Sequence, residues 1–145
     1  MAGLGVSMKT NLDSFFKTDK EVESTGVWFN IDEKTGFLVK PFSPSNPSIK
    51  AAMAKFFKPY AYQIDHGTLD AAKEREITVK VFVHACLVDW KGIEIDGKEA
   101  AFDKEAAVKL FVSLPELYTT IAKYAEDFRN YKIEDPATRE IVGNC

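Results

Sequence analysis

Apolar residues recur along this chain with two different periods, and the changes of period mark out the predicted elements. The runs Gly26-Val27-Trp28-Phe29-Asn30-Ile31 and Phe37-Leu38-Val39-Lys40-Pro41-Phe42 are rich in β-branched and aromatic residues and flank Asp32-Glu33-Lys34-Thr35-Gly36. Two such runs around a short loop ending in Gly predict a β-hairpin, with Trp28 on the face opposite Val27 and Phe29. Pro41 has no N–H to give to a ladder, so it ends the second strand or confines it to an edge.

Helical spacing takes over after the punctuation Ser43-Pro44-Ser45-Asn46-Pro47-Ser48. Asn46 can cap a helix and Pro47 suits its first turn. Ile49, Met53, Phe56 and Tyr60 then share one helical face, and Pro59 should kink or stop the helix because it crowds the preceding turn. His66-Gly67-Thr68 is the next break, with Thr68 as N-cap and Asp70 in the first turn. The helix that follows is predicted to run to about Trp90. Ile77, Val81, Phe82, Ala85 and either Leu87 or Val88 form its buried stripe, and Gly92 stops it. Asp96-Gly97 within Ile93-Glu94-Ile95-Asp96-Gly97-Lys98 favours a second, smaller hairpin through a tight primed turn.

Asp103 is a good N-cap for a helix whose face is Ala107, Leu110, Phe111 and Leu114. Ser113-Leu114-Pro115-Glu116 matches a capping box with Pro in the first turn, which predicts a new helix at a sharp corner. Leu117, Ile121, Tyr124, Phe128 and Tyr131 follow at steps of three or four, the cleanest amphipathic pattern in the chain. The predicted class is α+β, predominantly α-helical, with an N-terminal β-hairpin followed by about four helices. Residues 1–14 read as a flexible arm, 15–131 as a single globular domain and 132–145 as a flexible tail.

Composition narrows the function classes. The chain has 145 residues, 46% of them hydrophobic, with 11 Phe, 5 Tyr and 2 Trp, which is enough large apolar surface for one packed core. Its 19 basic residues are scattered among 22 acidic ones for a formal net charge of -3, with no basic stripe to neutralise phosphates. No nucleic-acid partner is expected. No apolar run approaches the roughly 20 residues that cross a bilayer, and the start does not read as a secretory signal, so no membrane partner is expected either. Cys86 and Cys145 are too few for a disulfide framework and read as free thiols in a reducing cytoplasm.

Catalytic chemistry finds little to stand on. His66, His84, Cys86 and Asp89 are the best metal set, but two residues apart on a helix His84 and Cys86 point in different directions, and the spacing matches no zinc motif. A buried Cys86 and a terminal Cys145 suit no nucleophile pair. Asp65, Asp89 and Glu94 are more simply solvated or capping groups than a carboxylate pair. Gly3-Leu4-Gly5 has no preceding strand and makes no phosphate loop. No catalytic, cofactor or metal residue is therefore assigned, and the chain reads as a binding domain. Aromatic anchors dominate interfaces, which makes Phe15, Phe16, Trp28, Tyr118, Tyr124, Phe128 and Tyr131 the partner-binding candidates. Core packing is the plainer role for Tyr124, Phe128 and Tyr131, while Tyr118 lies off the main stripe and is the better exposed candidate. Lys55-Phe56-Phe57-Lys58-Pro59-Tyr60 carries too little charge for a nucleic-acid platform and reads as an amphipathic helix end.

A series of motifs carries a family resemblance. They are Gly26-Val27-Trp28, Lys58-Pro59-Tyr60 with Gln63, Gly67-Thr68-Leu69, and Leu87-Val88-Asp89-Trp90-Lys91-Gly92. Lys109-Leu110-Phe111 through Leu114-Pro115-Glu116-Leu117-Tyr118 and Asp127-Phe128-Arg129-Asn130-Tyr131 complete it. In order and spacing over residues 15–131 the chain resembles the tail assembly chaperones of long-tailed (siphovirus-like) bacteriophages and prophages. The resemblance implies a protein of the bacterial host cytoplasm that binds the helix-rich tape measure protein and keeps it soluble. Tail tube subunits then polymerise around that protein, and the chaperone is absent from the finished virion. It carries over no catalytic residue and no cofactor.

Many such proteins also occur in a form extended by ribosomal frameshifting, a further partner for the short form. Val142-Gly143-Asn144 can be encoded by GTG GGA AAC, which contains a slippery run, among other allowed codons. Two other readings stand beside this one: a structural minor tail protein retained in the virion, and a small enzyme using carboxylates. A shallow apolar groove would disfavour the enzyme and a deep acidic cleft would favour it.

Overall fold

The computed structural model describes residues 8–132. Residues 1–7 of the expected arm and 133–145 of the expected tail, with Cys145 and the Val142-Gly143-Asn144 run, lie outside the described residues. The fold is α+β with an N-terminal hairpin and four helices of seven or more residues. Two short helices open it, α1 (Asp13–Phe16) and α2 (Lys20–Thr25). The Asp19 side chain caps α2 by accepting from the backbone N–H of Glu21 at 3.0 Å and of Val22 at 3.5 Å. Neither helix has an apolar period that would announce it.

The predicted hairpin forms as β1 (Val27–Asn30) and β2 (Gly36–Val39), paired antiparallel from Val27–Val39 to Asn30–Gly36. Asp32 closes its loop by accepting from the N–H groups of Lys34 at 2.8 Å and Thr35 at 2.7 Å. β2 ends ahead of Pro41, as expected, but it is the central strand of a three-stranded sheet.

The third strand corrects the sequence reading. The helix expected to reach Trp90 stops at Ala85, and β3 (Leu87–Lys91) pairs antiparallel with β2. Val39 faces Leu87 and Leu38 faces Asp89, so Val88 is an extra residue bulged out of the ladder. The bulge brings Leu87 and Trp90 onto the same buried face although they are three apart, which is the spacing of a helical stripe. Cys86, expected inside the helix, is its buried C-cap residue, with its N–H bonded to the Phe82 carbonyl at 2.8 Å. The second hairpin is formed by β4 (Glu94–Ile95) and β5 (Lys98–Glu99). Asp96 and Gly97 both have positive φ there, 55° and 79°, as a primed turn requires.

Four main helices complete the fold: α3 (Ser48–Phe57), α5 (Ala71–Ala85), α6 (Lys104–Ser113) and α7 (Pro115–Glu126). Pro59 ends α3 and sits in a 3-10 turn, Lys58–Tyr60, before the short α4 (Ala61–Asp65). Asp70, not Thr68, is the N-cap residue of α5, and the Thr68 N–H instead bonds back to the Gln63 carbonyl at 2.9 Å. Asp103 caps α6 as expected, accepting from Ala106 N–H at 2.9 Å. The capping box at Ser113 does not form: Ser113 remains in α6 with its hydroxyl on the Leu110 carbonyl at 2.8 Å, and Pro115 alone starts α7 at the corner.

The core lies where the sheet meets α5, α6 and α7. Phe37 of β2 packs on Trp90 and Phe111, Phe111 packs on Phe82, and Phe42 meets Phe82 edge-on at 5.2 Å. One buried polar side chain ties the layers together. Asn46 donates through Nδ2 to the carbonyls of Pro41 at 3.0 Å and Ala85 at 2.9 Å, and its Oδ1 accepts from Ser48 N–H at 3.0 Å. Pro47, not Asn46, holds the N-cap position of α3; Asn46 sits one residue ahead and joins the strand exit, the end of α5 and the start of α3.

Candidate partner-binding groove

A hollow lies between α3, α5 and α6, an open groove of about 700 Å³. Helix α5 contributes Glu76, Lys80 and His84 at steps of four. Helix α6 contributes Glu105, Val108, Lys109, Val112 and Ser113, and α3 closes the groove with Lys55 and Phe56. Lys104 Nζ donates to the His84 carbonyl at 3.3 Å, which sets the start of α6 beside the end of α5. The two helices thus flank the groove together.

The floor is apolar. The Phe56 ring lies against the His84 imidazole with centroids 4.7 Å apart, and Val112 is exposed. The imidazole is held below the ordinary histidine value, first by its partial burial and then by the positive charges of Lys104, Lys55 and Lys80. Glu76 is engaged by Lys80 at 3.3 Å and Lys73 at 3.5 Å, which hold its carboxyl below the usual range. Among the described residues Lys55, Lys104 and Lys109 take part in no ion pair. A smaller hollow of about 480 Å³ lies beside α4, lined by Met53, Phe57, Ile64 and Leu69 among others.

The sequence-based candidates do not converge on this groove. Phe15 and Phe16 of α1 are 59% and 63% exposed, and Phe16 stacks on Phe128 with centroids 5.6 Å apart. Met8 and Leu12, near them in sequence, are also exposed. Trp28 is half-buried on the sheet, with Lys91 Nζ 4.6 Å from the ring centroid. Tyr124 packs on Phe29 at 4.7 Å. Two of the candidates belong to the interior. Tyr118 packs edge-on against Phe82 at 5.5 Å, and burial pushes its phenol up to about 12. Tyr131 is 1% exposed and its hydroxyl donates to the Val39 carbonyl at 3.1 Å.

Cys86 is also buried, its thiol pushed up to about 12 by burial. No group of three or more His, Cys, Asp or Glu side chains among the described residues could hold a metal ion, so His66, His84, Cys86 and Asp89 do not come together. No helix among them is long and apolar enough to cross a membrane.

The groove was invisible in the sequence because its walls come from three separate helices. Lys55, His84 and Lys109 share no local period. A run of lysines recurring beside apolar residues on α3, α5 and α6 is the signal that could have drawn attention to it.

The fold is that of a small α+β domain with an open trough between its helices. The chain belongs to the YdaY prophage protein family, whose model matches residues 44–144. No curated protein and no solved structure matches it. The matched stretch contains every residue that lines the groove, whereas Phe15, Phe16 and Trp28 precede it.

Proposed function

We propose that this prophage protein is a tail assembly chaperone. In the host cytoplasm it binds the tape measure protein, keeps that long helical rod soluble and releases it as tail tube subunits assemble around it. The observation that carries the reading is the apolar trough left open between α3, α5 and α6 in a protein of prophage origin. An unassembled amphipathic rod exposes an apolar stripe, and a small domain with an open helical trough can cover it. The motif series across residues 15–131 that resembles the tail assembly chaperones supports the same role. Binding rather than catalysis is part of this reading, and the open groove, with Phe56, Val108 and Val112 in its lining and Glu76 already paired with Lys73 and Lys80, supports it over carboxylate chemistry. A frameshift-extended form of the chain fits the same role; the gene's nucleotides near its stop test that element, and the lack of any slippery run there would remove it.

The role as a whole is tested by following a tagged copy of the protein through prophage induction. It should co-purify with the tape measure protein from lysates and be missing from purified particles. Stoichiometric presence in particles would replace the chaperone with a structural minor tail protein. Failure to co-purify with the tape measure protein would overturn the reading outright.

A further inference from the structure

We infer that the groove between α3, α5 and α6 is a docking site for one amphipathic helix whose apolar stripe is flanked by glutamates or aspartates. The inference rests on the chaperone reading for the identity of the partner, the tape measure protein, and goes beyond it in naming the surface and the segment.

The shape argues for a helix. Glu76, Lys80 and His84 run about 12 Å along α5, at 1.5 Å per residue. Glu105, Val108, Lys109 and Val112 run alongside on α6 at the three- and four-residue steps of one helical face. An open trough bordered by three helices leaves room for one more helix to pack by ridges and grooves. A volume of about 700 Å³ accepts several side chains projecting from one face of such a helix, and Phe56, Val108 and Val112 give them an apolar floor.

The charge argues for acidic flanks. The protein as a whole carries a formal charge of -3, yet Lys55, Lys80 and Lys109 line this trough from all three helices and Lys104 stands at its edge. Glu76 and Lys80 are paired with each other, and Lys73 shares the same carboxylate, which leaves Lys55, Lys109 and the neighbouring Lys104 against Glu105. The positive form of His84 is disfavoured first by its partial burial and then by Lys104, Lys55 and Lys80. Lys55 of α3, its Nζ 5.3 Å from the Phe56 ring centroid, and Lys109 of α6 both line the groove, so an incoming helix meets cations from two of its walls. Complementary rim charges of this kind set orientation and choice of partner more than raw affinity.

The test uses the full chain and two fluorescent amphipathic peptides of equal length with the same leucine stripe, one flanked by glutamates and one by lysines. The glutamate peptide should bind about tenfold more tightly, the size expected when several exposed charge pairs change sign together. Lys55→Glu with Lys109→Glu should reverse that preference, Val112→Asp should weaken the glutamate peptide, and Lys98→Glu on β5 should change neither. Equal binding of the two peptides, no binding of either, or an equal effect from Lys98→Glu would overturn the inference. Coexpression with the tape measure protein separates the two claims. If the wild type and the Lys55→Glu, Lys109→Glu variant solubilise it alike, the groove assignment fails and the chaperone stands. If the peptides discriminate but the wild type leaves the tape measure protein insoluble, the groove stands and the chaperone reading fails.

Discussion

The phenolic hydroxyl of Tyr131 donates to the main-chain carbonyl of Val39 across a 3.1 Å contact, tying the last described turn to the central strand at the step where the ladder slips register. The Tyr131 carbonyl in turn accepts from the Asp19 N–H at 2.7 Å, so one residue joins α2, β2 and the 3-10 turn Phe128–Tyr131. Its ring is spent on the interior and is not available to a partner. Tyr131→Phe should cost about 1–2 kcal/mol, because a buried hydrogen bond to the Val39 carbonyl is lost. Urea denaturation of the two proteins reads the difference directly. No loss of stability would mean that this bond does not hold the turn in place.

Asn46 should be the most sensitive polar position. Asn46→Ala removes the donors to the Pro41 and Ala85 carbonyls and the acceptor for the Ser48 N–H, and should destabilise by about 2–3 kcal/mol. Asn46→Asp should be worse at neutral pH, since a carboxylate would face two carbonyl oxygens in a buried site. Protonation returns one donor, so the deficit of Asn46→Asp relative to wild type should shrink as pH falls from about 7 to 5. Thermal melts at both pH values check the sign.

Gly92 has φ of +68°, and a Cβ placed on it would collide with the Lys34 carbonyl of the hairpin loop. Gly92→Ala therefore strains the backbone and pushes the β1–β2 loop off the end of β3, at a cost of about 2 kcal/mol or more. Gly97 also has positive φ, but nothing lies within 4 Å of an added Cβ, so Gly97→Ala should cost less. Comparing the two melting temperatures isolates the collision from the φ penalty.

His84 should make the fold less tolerant of mild acid. Its charged form is disfavoured in the folded protein by partial burial and by Lys104, Lys55 and Lys80, with Glu76 and Glu105 also lining the groove. Below the unfolded histidine value the unfolded chain therefore binds more protons, and stability falls as pH drops through that range. His84→Gln should flatten the fall in melting temperature between about pH 7 and pH 5. An unchanged pH profile would show that this side chain does not feel the lysines around it.

The elements that follow one simple period were legible from residues alone. The hairpin around Asp32–Gly36, the Asp96-Gly97 turn and the Asp103 cap appear as read, whereas the stripe through Ile121 is helical only to Glu126, with Phe128 exposed and Tyr131 buried in a separate 3-10 turn. The strand at Leu87 did not, because the Val88 bulge gives its two buried residues a helical spacing. Asn46 was legible as a residue at the start of a helix, but its bonds to Pro41 and Ala85 depend on where distant segments come to rest. Tyr118 lies off the stripe of its own helix and yet packs inward, since the rings of Phe82 and Phe111 reach it from neighbouring helices. The groove escaped for a related reason: sequence periods show what a helix buries, whereas an open trough is surface that no helix of this chain covers. The family match begins at residue 44, beyond Phe37 and Val39, although both are core residues and their strand is the centre of the sheet.

The central claim is that this protein keeps the tape measure protein in solution, and the soluble fraction of that protein on coexpression tests it most directly. With the wild-type chain present, the tape measure protein should move from the pellet to the supernatant and elute with this protein on gel filtration. A tape measure protein that stays in the pellet at every ratio of the two would contradict the account.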